Sequence, residues 1–300
     1  MTTTLHIDTG REMRGGQWQV LHLLHGLAAQ GHKATLLARP GSALLDRART
    51  EDLDAHALRL RDLIRLAPSF DLVHAHDARS HSLAAPLTTP LVVSRRVAFP
   101  PRRSLLSRWK YSRPAHYIAV SNYVKKILAE SIASDDKISV VYDGVRLPPD
   151  PCYDNRTTAI AIDSDDPGKG KALILEASRR AKIDVFFSKN LAADLAADAA
   201  FFIYISDSEG LGSAALVAMA AGVPVLASKV GGLPEIVEDG TFGLLTENTP
   251  EQISDKMLEM AQNPGALARW GRAGRARIEG GFTVEHMTRN TLQVYEKVLG

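Results

Sequence analysis

Short apolar runs bounded by glycine, proline or charge recur along the chain, alternating with longer stretches whose apolar residues return every three to four positions. In the first half the short runs predict strands at residues 5–8, 33–38, 55–58, 72–75, 91–93, 116–120 and 138–142. Between them, helical spacing predicts helices at 17–30, 42–50 and 61–66, the first burying Val20, Leu21, Leu23, Leu24 and Leu27. In the second half the same reading gives strands at 159–162, 183–187, 201–205 and 224–227 and helices at 172–180, 213–221, 250–262, 264–278 and 284–299. Strands alternating with helices of this length imply parallel, doubly wound sheets, an α/β fold. Three prolines within residues 147–151 divide the chain into a first domain, 1–147, and a second, 148–282, followed by a terminal helix over 283–300.

The stretch from Ser206 to Leu245 carries the chemistry. An apolar strand breaks at Gly210 and Gly212, and small, uncharged residues then build a helix directly out of the turn. A strand, a glycine turn and a helix start present backbone N–H groups and the positive end of a helix dipole at the sheet's carboxyl edge, which suits an anion. Glu209 stands at the lip, where a carboxylate accepts hydrogen bonds from hydroxyls. A second glycine loop, residues 163–171, opens the next helix with Lys169-Gly170, and a third holds Gly15-Gly16 after the first strand, as a ligand loop or a plain turn. His74 and His76 alternate on one strand and share a face. They read either as structural histidines or, for His76 at the strand end, as a catalytic or acceptor contact.

Charge sharpens this picture. Residues 1–150 hold 21 Lys and Arg against 14 Asp and Glu, which leaves 15 against 20 for the rest. No acidic residue occurs between Asp77 and Glu130, and ten cations do, so an anion meets that face. Arg95 and Arg96 end a strand there. The run 102–113 interleaves Arg102, Arg103, Arg108, Lys110 and Arg113 with Leu105, Leu106, Trp109 and Tyr111. It reads as a solvated helix packed on the sheet or as a face for lipid headgroups. No nucleic-acid-binding pattern accompanies these cations. Cys152 is the single cysteine, which excludes an internal disulfide and a cysteine metal site. Charges among the first twenty residues and apolar runs too short for a bilayer predict a cytoplasmic protein, peripheral on the inner face of the plasma membrane if residues 95–126 meet lipid.

The run E-G-L-G-S-A-A-L-V-A-M-A-A-G-V-P-V-L-A from Glu209, with G-G-L-P-E-I-V from Gly231 and G-T-F-G-L-L from Gly240, resembles the signature of the retaining glycosyltransferases of family 4. The pieces D-L-V-H-A-H-D from Asp71, I-A-V-S-N from Ile118 and V-V-Y-D-G-V from Val140 are similar to the family too. The resemblance implies the GT-B plan: two Rossmann-like domains facing a cleft, with the terminal helix packing back on the first. It implies a nucleotide sugar bound as substrate, with no cofactor and no metal, and an anionic or lipid-linked acceptor in cell-surface glycan assembly. By the same resemblance Glu209 meets the sugar, Lys169 and Gly170 hold the diphosphate, and Gly15, Gly16, Gly210, Leu211 and Gly212 line the donor site. Where many family members carry a His, this chain has Ser94-Arg95-Arg96, and by their charge Arg95 and Arg96, with Arg102 and Arg103, read as holding acceptor or phosphate. Three further departures fall in the second domain. Val217 replaces a second Glu, Ser164 replaces the Arg of the phosphate loop, and the second domain is shortened. These departures support a second reading, a GT-B protein that binds or regulates another transferase.

Overall fold

The computed structural model describes residues 1–100, 104–131, 134–151 and 156–300. Cys152, Arg102 and Arg103 therefore lie outside the described residues. The chain forms two compact units, residues 1–144 with 284–300 and residues 145–283.

The first unit holds a seven-stranded parallel sheet among the described residues, ordered β3-β2-β1-β4-β5-β6-β7. Its strands are β1 (Thr3–Asp8), β2 (Lys33–Ala38), β3 (Ala55–Ala57), β4 (Leu72–Ala75), β5 (Leu91–Arg95), β6 (His116–Ala119) and β7 (Ile138–Val140). Its helices are α1 (Gly15–Ala29), α2 (Ala43–Thr50), α3 (Leu60–Leu66), α4 (Ala78–Ala84), α5 (Leu105–Ser112) and α6 (Asn122–Ser131). β1 and β4 are buried on both faces, as a covered parallel sheet demands, and Leu5, Ile7, Leu72 and Val73 are fully buried.

The second unit holds five parallel strands, ordered β12-β11-β10-β8-β9. They are β8 (Thr158–Ile162), β9 (Val185–Ser188), β10 (Ala199–Tyr204), β11 (Val225–Ser228) and β12 (Gly243–Thr246), with α7 (Lys171–Ala181), α8 (Leu191–Asp198), α9 (Ser213–Ala220), α10 (Leu233–Ile236), α11 (Pro250–Ala261) and α12 (Pro264–Gly281) around them. The last helix, α13 (Val284–Leu299), belongs to the first unit. Met287, Leu292, Val294 and Tyr295 of α13 join Leu23, Leu27, Leu72 and Val92 in one core cluster. α1 crosses α13 so closely that a Cβ on Gly26 would lie 2.0 Å from the Thr288 hydroxyl.

The second unit differs in places from the sequence reading. Ile183 donates to the Ser178 carbonyl and accepts from the Ser178 hydroxyl, closing α7, so β9 starts later than expected. The proline segment after β7 is tied down: Arg275, 9% exposed, donates to the Pro148 and Ala220 carbonyls and to Asp150. Val145 pairs with Thr283 beside it.

Candidate active site

Both sheets reverse their strand order at one place, which is where doubly wound sheets commonly bind ligands. In the second sheet this switch point lies between β8 and β10. The loop after β8 carries Lys169 and the loop after β10 carries Glu209. The two loops are bonded together, since Asp207 N and the Ser206 hydroxyl both donate to the Gly168 carbonyl, at 2.9 and 3.1 Å. Asp166 caps the turn by accepting from Gly168 N at 3.0 Å. Gly170, in the left-handed region at φ +65°, then turns the chain into α7.

This brings Lys169 and Glu209 together across forty positions. The Lys169 ammonium and the Glu209 carboxylate form an ion pair, and the Tyr204 hydroxyl donates to the same carboxylate oxygen at 2.7 Å. Lys169 Nζ also lies 5.6 Å from the centre of the Tyr204 ring, within cation–π reach. Burial, then the Glu209 charge, holds the Tyr204 hydroxyl well above its ordinary pKa, so it stays a donor. Behind Glu209 the chain is packed backbone to backbone. A Cβ on Gly231 would lie 1.9 Å from the Glu209 carbonyl oxygen, and one on Gly232 would lie 2.2 Å from that of Gly210. Gly232 N donates to the Glu209 carbonyl. The second glycine pair of the signature therefore forms the wall on which the Glu209–Gly210 turn rests. Gly212 caps α9, Leu211 is buried, and Val217 is half-buried one turn along α9. Lys171, on the same helix as the donor loop, is paired with Asp163 at 2.5 Å.

In the first sheet the switch point lies between β1 and β4. α1 starts at Gly15, earlier than the sequence spacing indicates, so Gly15 and Gly16 form its first turn. A Cβ on Gly16 would meet only Arg96, at 3.5 Å, so packing alone does not demand a glycine there. His76 ends β4, and its ring stacks on His6 of β1 while contacting His74 at 4.0 Å between centroids. His6 enters because β1 pairs with β4 in register, His6 beside His74, which no spacing within the chain reveals. The three rings bring metal-ligating atoms within 4.8 Å of one another. Five of their six nitrogens are already in hydrogen bonds: His6 with Thr4 and His76, His74 with Tyr295 and Ser94. Of the six, His76 Nδ1 alone is buried without a partner. Burial lowers the pKa of His6 to about 3 and those of His74 and His76 well below the usual value, so all three rings are neutral. Asp8 and Asp77 sit beside them. Burial, then the Asp77 charge, raises the Asp8 pKa, while Gln17 and Gly10 N donate to its carboxylate.

Of the arginines expected to bind acceptor or phosphate, the two that are described are engaged within the first unit. Arg95 is 8% exposed and its guanidinium donates to the Tyr111 hydroxyl and the Phe99 carbonyl. Arg96 is paired with Asp143. Two cations of the basic helix segment are engaged too. Lys110 donates to the Ala78 carbonyl and Arg113 to those of Ala85 and Leu87, and Tyr111 is buried. α5 still turns Leu105 (83% exposed), Leu106 (78%) and Trp109 (48%) outward beside Arg108. No described helix is long and apolar enough to cross a membrane.

Comparison with known proteins agrees with this geometry. Alpha-maltose-1-phosphate synthase of Mycolicibacterium smegmatis is 36% identical over 107 residues, 33% of this chain and 28% of its own length. An uncharacterised glycosyltransferase of Methanocaldococcus jannaschii is 28% identical over 210 residues, 60% of this chain and 59% of its own. The chain thus matches well under two thirds of either relative. The crystal structure of Anabaena HepE with UDP and glucose has the same fold, with a TM-score of 0.86 over 99% of this chain and 100% of that one, at 14% identity. The family model for Glycosyltransferase Family 4 matches residues 13–147 and that for Glycosyl transferases group 1 matches residues 153–277. With both Rossmann-like units matched, the chain belongs to the glycosyltransferases of family 4, group 1, with the GT-B fold.

Proposed function

We propose that the protein transfers a sugar from a nucleotide diphosphate sugar to a phosphorylated or lipid-linked acceptor, with retention of configuration, in the assembly of a cell-surface glycan. The observation that carries this reading is the Lys169–Glu209–Tyr204 cluster at the switch point of the second sheet. As the bond from sugar to diphosphate breaks, negative charge gathers on the leaving group. Lys169 and the N–H groups at the start of α9 are placed to stabilise that charge, while Glu209 orients sugar hydroxyls. Gly210, Leu211, Gly212 and Gly170 shape the pocket through their backbone. Gly15 and Gly16, in the first turn of α1, are read as donor-binding glycines, and the neutral His76 ring offers its open nitrogen to the acceptor. The UDP and glucose held by HepE support a nucleotide-sugar donor, and the name of the Mycolicibacterium enzyme supports a phosphate-bearing partner. The outward apolar face of α5 suits work beside a membrane surface. The positive charge comes from side chains and amides, so the reading calls for neither a metal nor a resident cofactor.

A second reading, a binding or regulatory partner of another transferase, is favoured by two observations. Val217 offers no hydrogen bond where the family has a carboxylate, and Lys171 is spent on Asp163. A thermal-shift series with UDP, GDP and their sugar conjugates separates the readings, with the diphosphates expected to raise the melting temperature and Lys169→Ala to abolish the rise. No stabilisation by any nucleotide would reject the transferase reading.

A further inference from the structure

Of the cations first assigned to acceptor or phosphate, Arg95 and Arg96 are engaged within the first unit, as are Lys110 and Arg113 of the same basic run. Two other arginines are not. Among the described residues the side chains of Arg39 and Arg79 make no hydrogen bond and no ion pair. Both line one cavity of about 310 Å³ at the carboxyl edge of the first sheet, with Thr9 from the end of β1, Leu58 from beyond β3, Leu60 of α3 and Leu83 of α4. No carboxylate lines it. Asp77, two residues before Arg79, accepts four hydrogen bonds, from Thr9 N and Oγ1 and from Arg79 N and Ser80 N.

We propose that this cavity binds the phosphate group of an amphipathic acceptor, with the phosphate between the Arg39 and Arg79 guanidinium groups and the adjoining apolar part against Leu58, Leu60 and Leu83. The chemistry favours a phosphate ester over a neutral sugar. Guanidinium groups match phosphate oxygens in pairs, and unpaired cations beside leucine side chains gain from an anion whose substituent removes apolar surface from water. Leu60 is 58% exposed, so it has surface left to cover. The assignment rests on the transferase reading for its role as acceptor, although phosphate binding itself does not require turnover.

The test measures binding of inorganic phosphate, n-octyl phosphate and phosphatidylglycerol vesicles to the full chain. The comparison set is wild type, Arg39→Gln/Arg79→Gln and Leu60→Ser, with UDP binding followed in parallel. n-Octyl phosphate is expected to bind more tightly than inorganic phosphate, the double variant to bind both about tenfold more weakly, and Leu60→Ser to weaken only the octyl ester. Vesicle binding that depends on both arginines assigns the ester to a lipid headgroup. Octyl phosphate binding without vesicle binding assigns it to a soluble phosphate. Equal affinity of wild type and double variant for octyl phosphate, or no affinity in either, overturns the proposal. UDP binding unchanged in the double variant keeps that outcome separate from the donor site, and a melting temperature within a degree or so of wild type shows the variant folded.

Discussion

At the scale of single residues, Glu209 has two partners of different kinds. Lys169 belongs with the diphosphate in the proposed reaction, so it must exchange Glu209 for phosphate when donor arrives, whereas Tyr204 holds the carboxylate throughout. Tyr204→Phe is therefore expected to lower kcat about tenfold, the worth of one hydrogen bond to a charged group, while UDP affinity stays near wild type. Glu209→Gln should cost more, since it removes the charge as well. A kinetic split in which Tyr204→Phe raises only KM would reject this positioning role. Lys169 and Glu209 were legible in the sequence because each sits in a recognisable glycine loop. Tyr204 was not, because it reads as one more buried aromatic in an apolar strand and only the turn at Ser206–Ser208 returns Glu209 to its hydroxyl. The burial of Arg95 was hidden for the opposite reason. A charge at a strand's carboxyl end reads as exposed, and its burial against Tyr111 depends on where α5 packs.

At the scale of elements, the turn that carries Glu209 is supported by the turn that carries Gly231 and Gly232. Gly231 lies at φ +57°, and its missing side chain is what lets the two backbones touch. Gly231→Ala is expected to destabilise the second unit by about 2 kcal/mol or more, from combined backbone strain and clash, and to weaken UDP binding as the Glu209 turn shifts. Wild-type melting with wild-type UDP affinity would show that the wall is not needed. Most strands were legible because a parallel sheet buried on both faces leaves runs such as 201–205 uninterrupted by charge. β12 escaped because its four residues merge with a glycine-punctuated signature, where turn and strand use the same letters.

At the scale of the molecule, all ten histidines lie in the first unit and none in residues 145–283. The folded pKa values of His6 and His81 are lowered to about 3, chiefly by burial, below the unfolded value of 6.5. A base whose folded pKa is depressed binds protons first in the unfolded chain, so its stability is complete above the unfolded value and declines as pH falls below it. Each such ring withdraws about 1.4 kcal/mol per pH unit in that window. Asp8, with a raised pKa, works the other way and offsets part of the loss. The acids of the second unit with lowered pKa, Asp163, Glu176 and Asp198, matter only below about pH 4.5. Between pH 6.5 and 5 the first unit is thus expected to lose protection in hydrogen exchange, corrected for intrinsic rate, while the second keeps it. Equal loss in both units would contradict this.

The placement of α13 sets an order on biosynthesis. Tyr295 bonds to His74 at 2.7 Å, and Met287 and Leu292 complete the core begun by Leu23 and Leu72. A ribosome must therefore deliver the whole of the second unit before the first can close. During that interval the nascent first unit exposes an apolar groove to chaperones, while the later-made unit has every residue it needs to fold ahead of it.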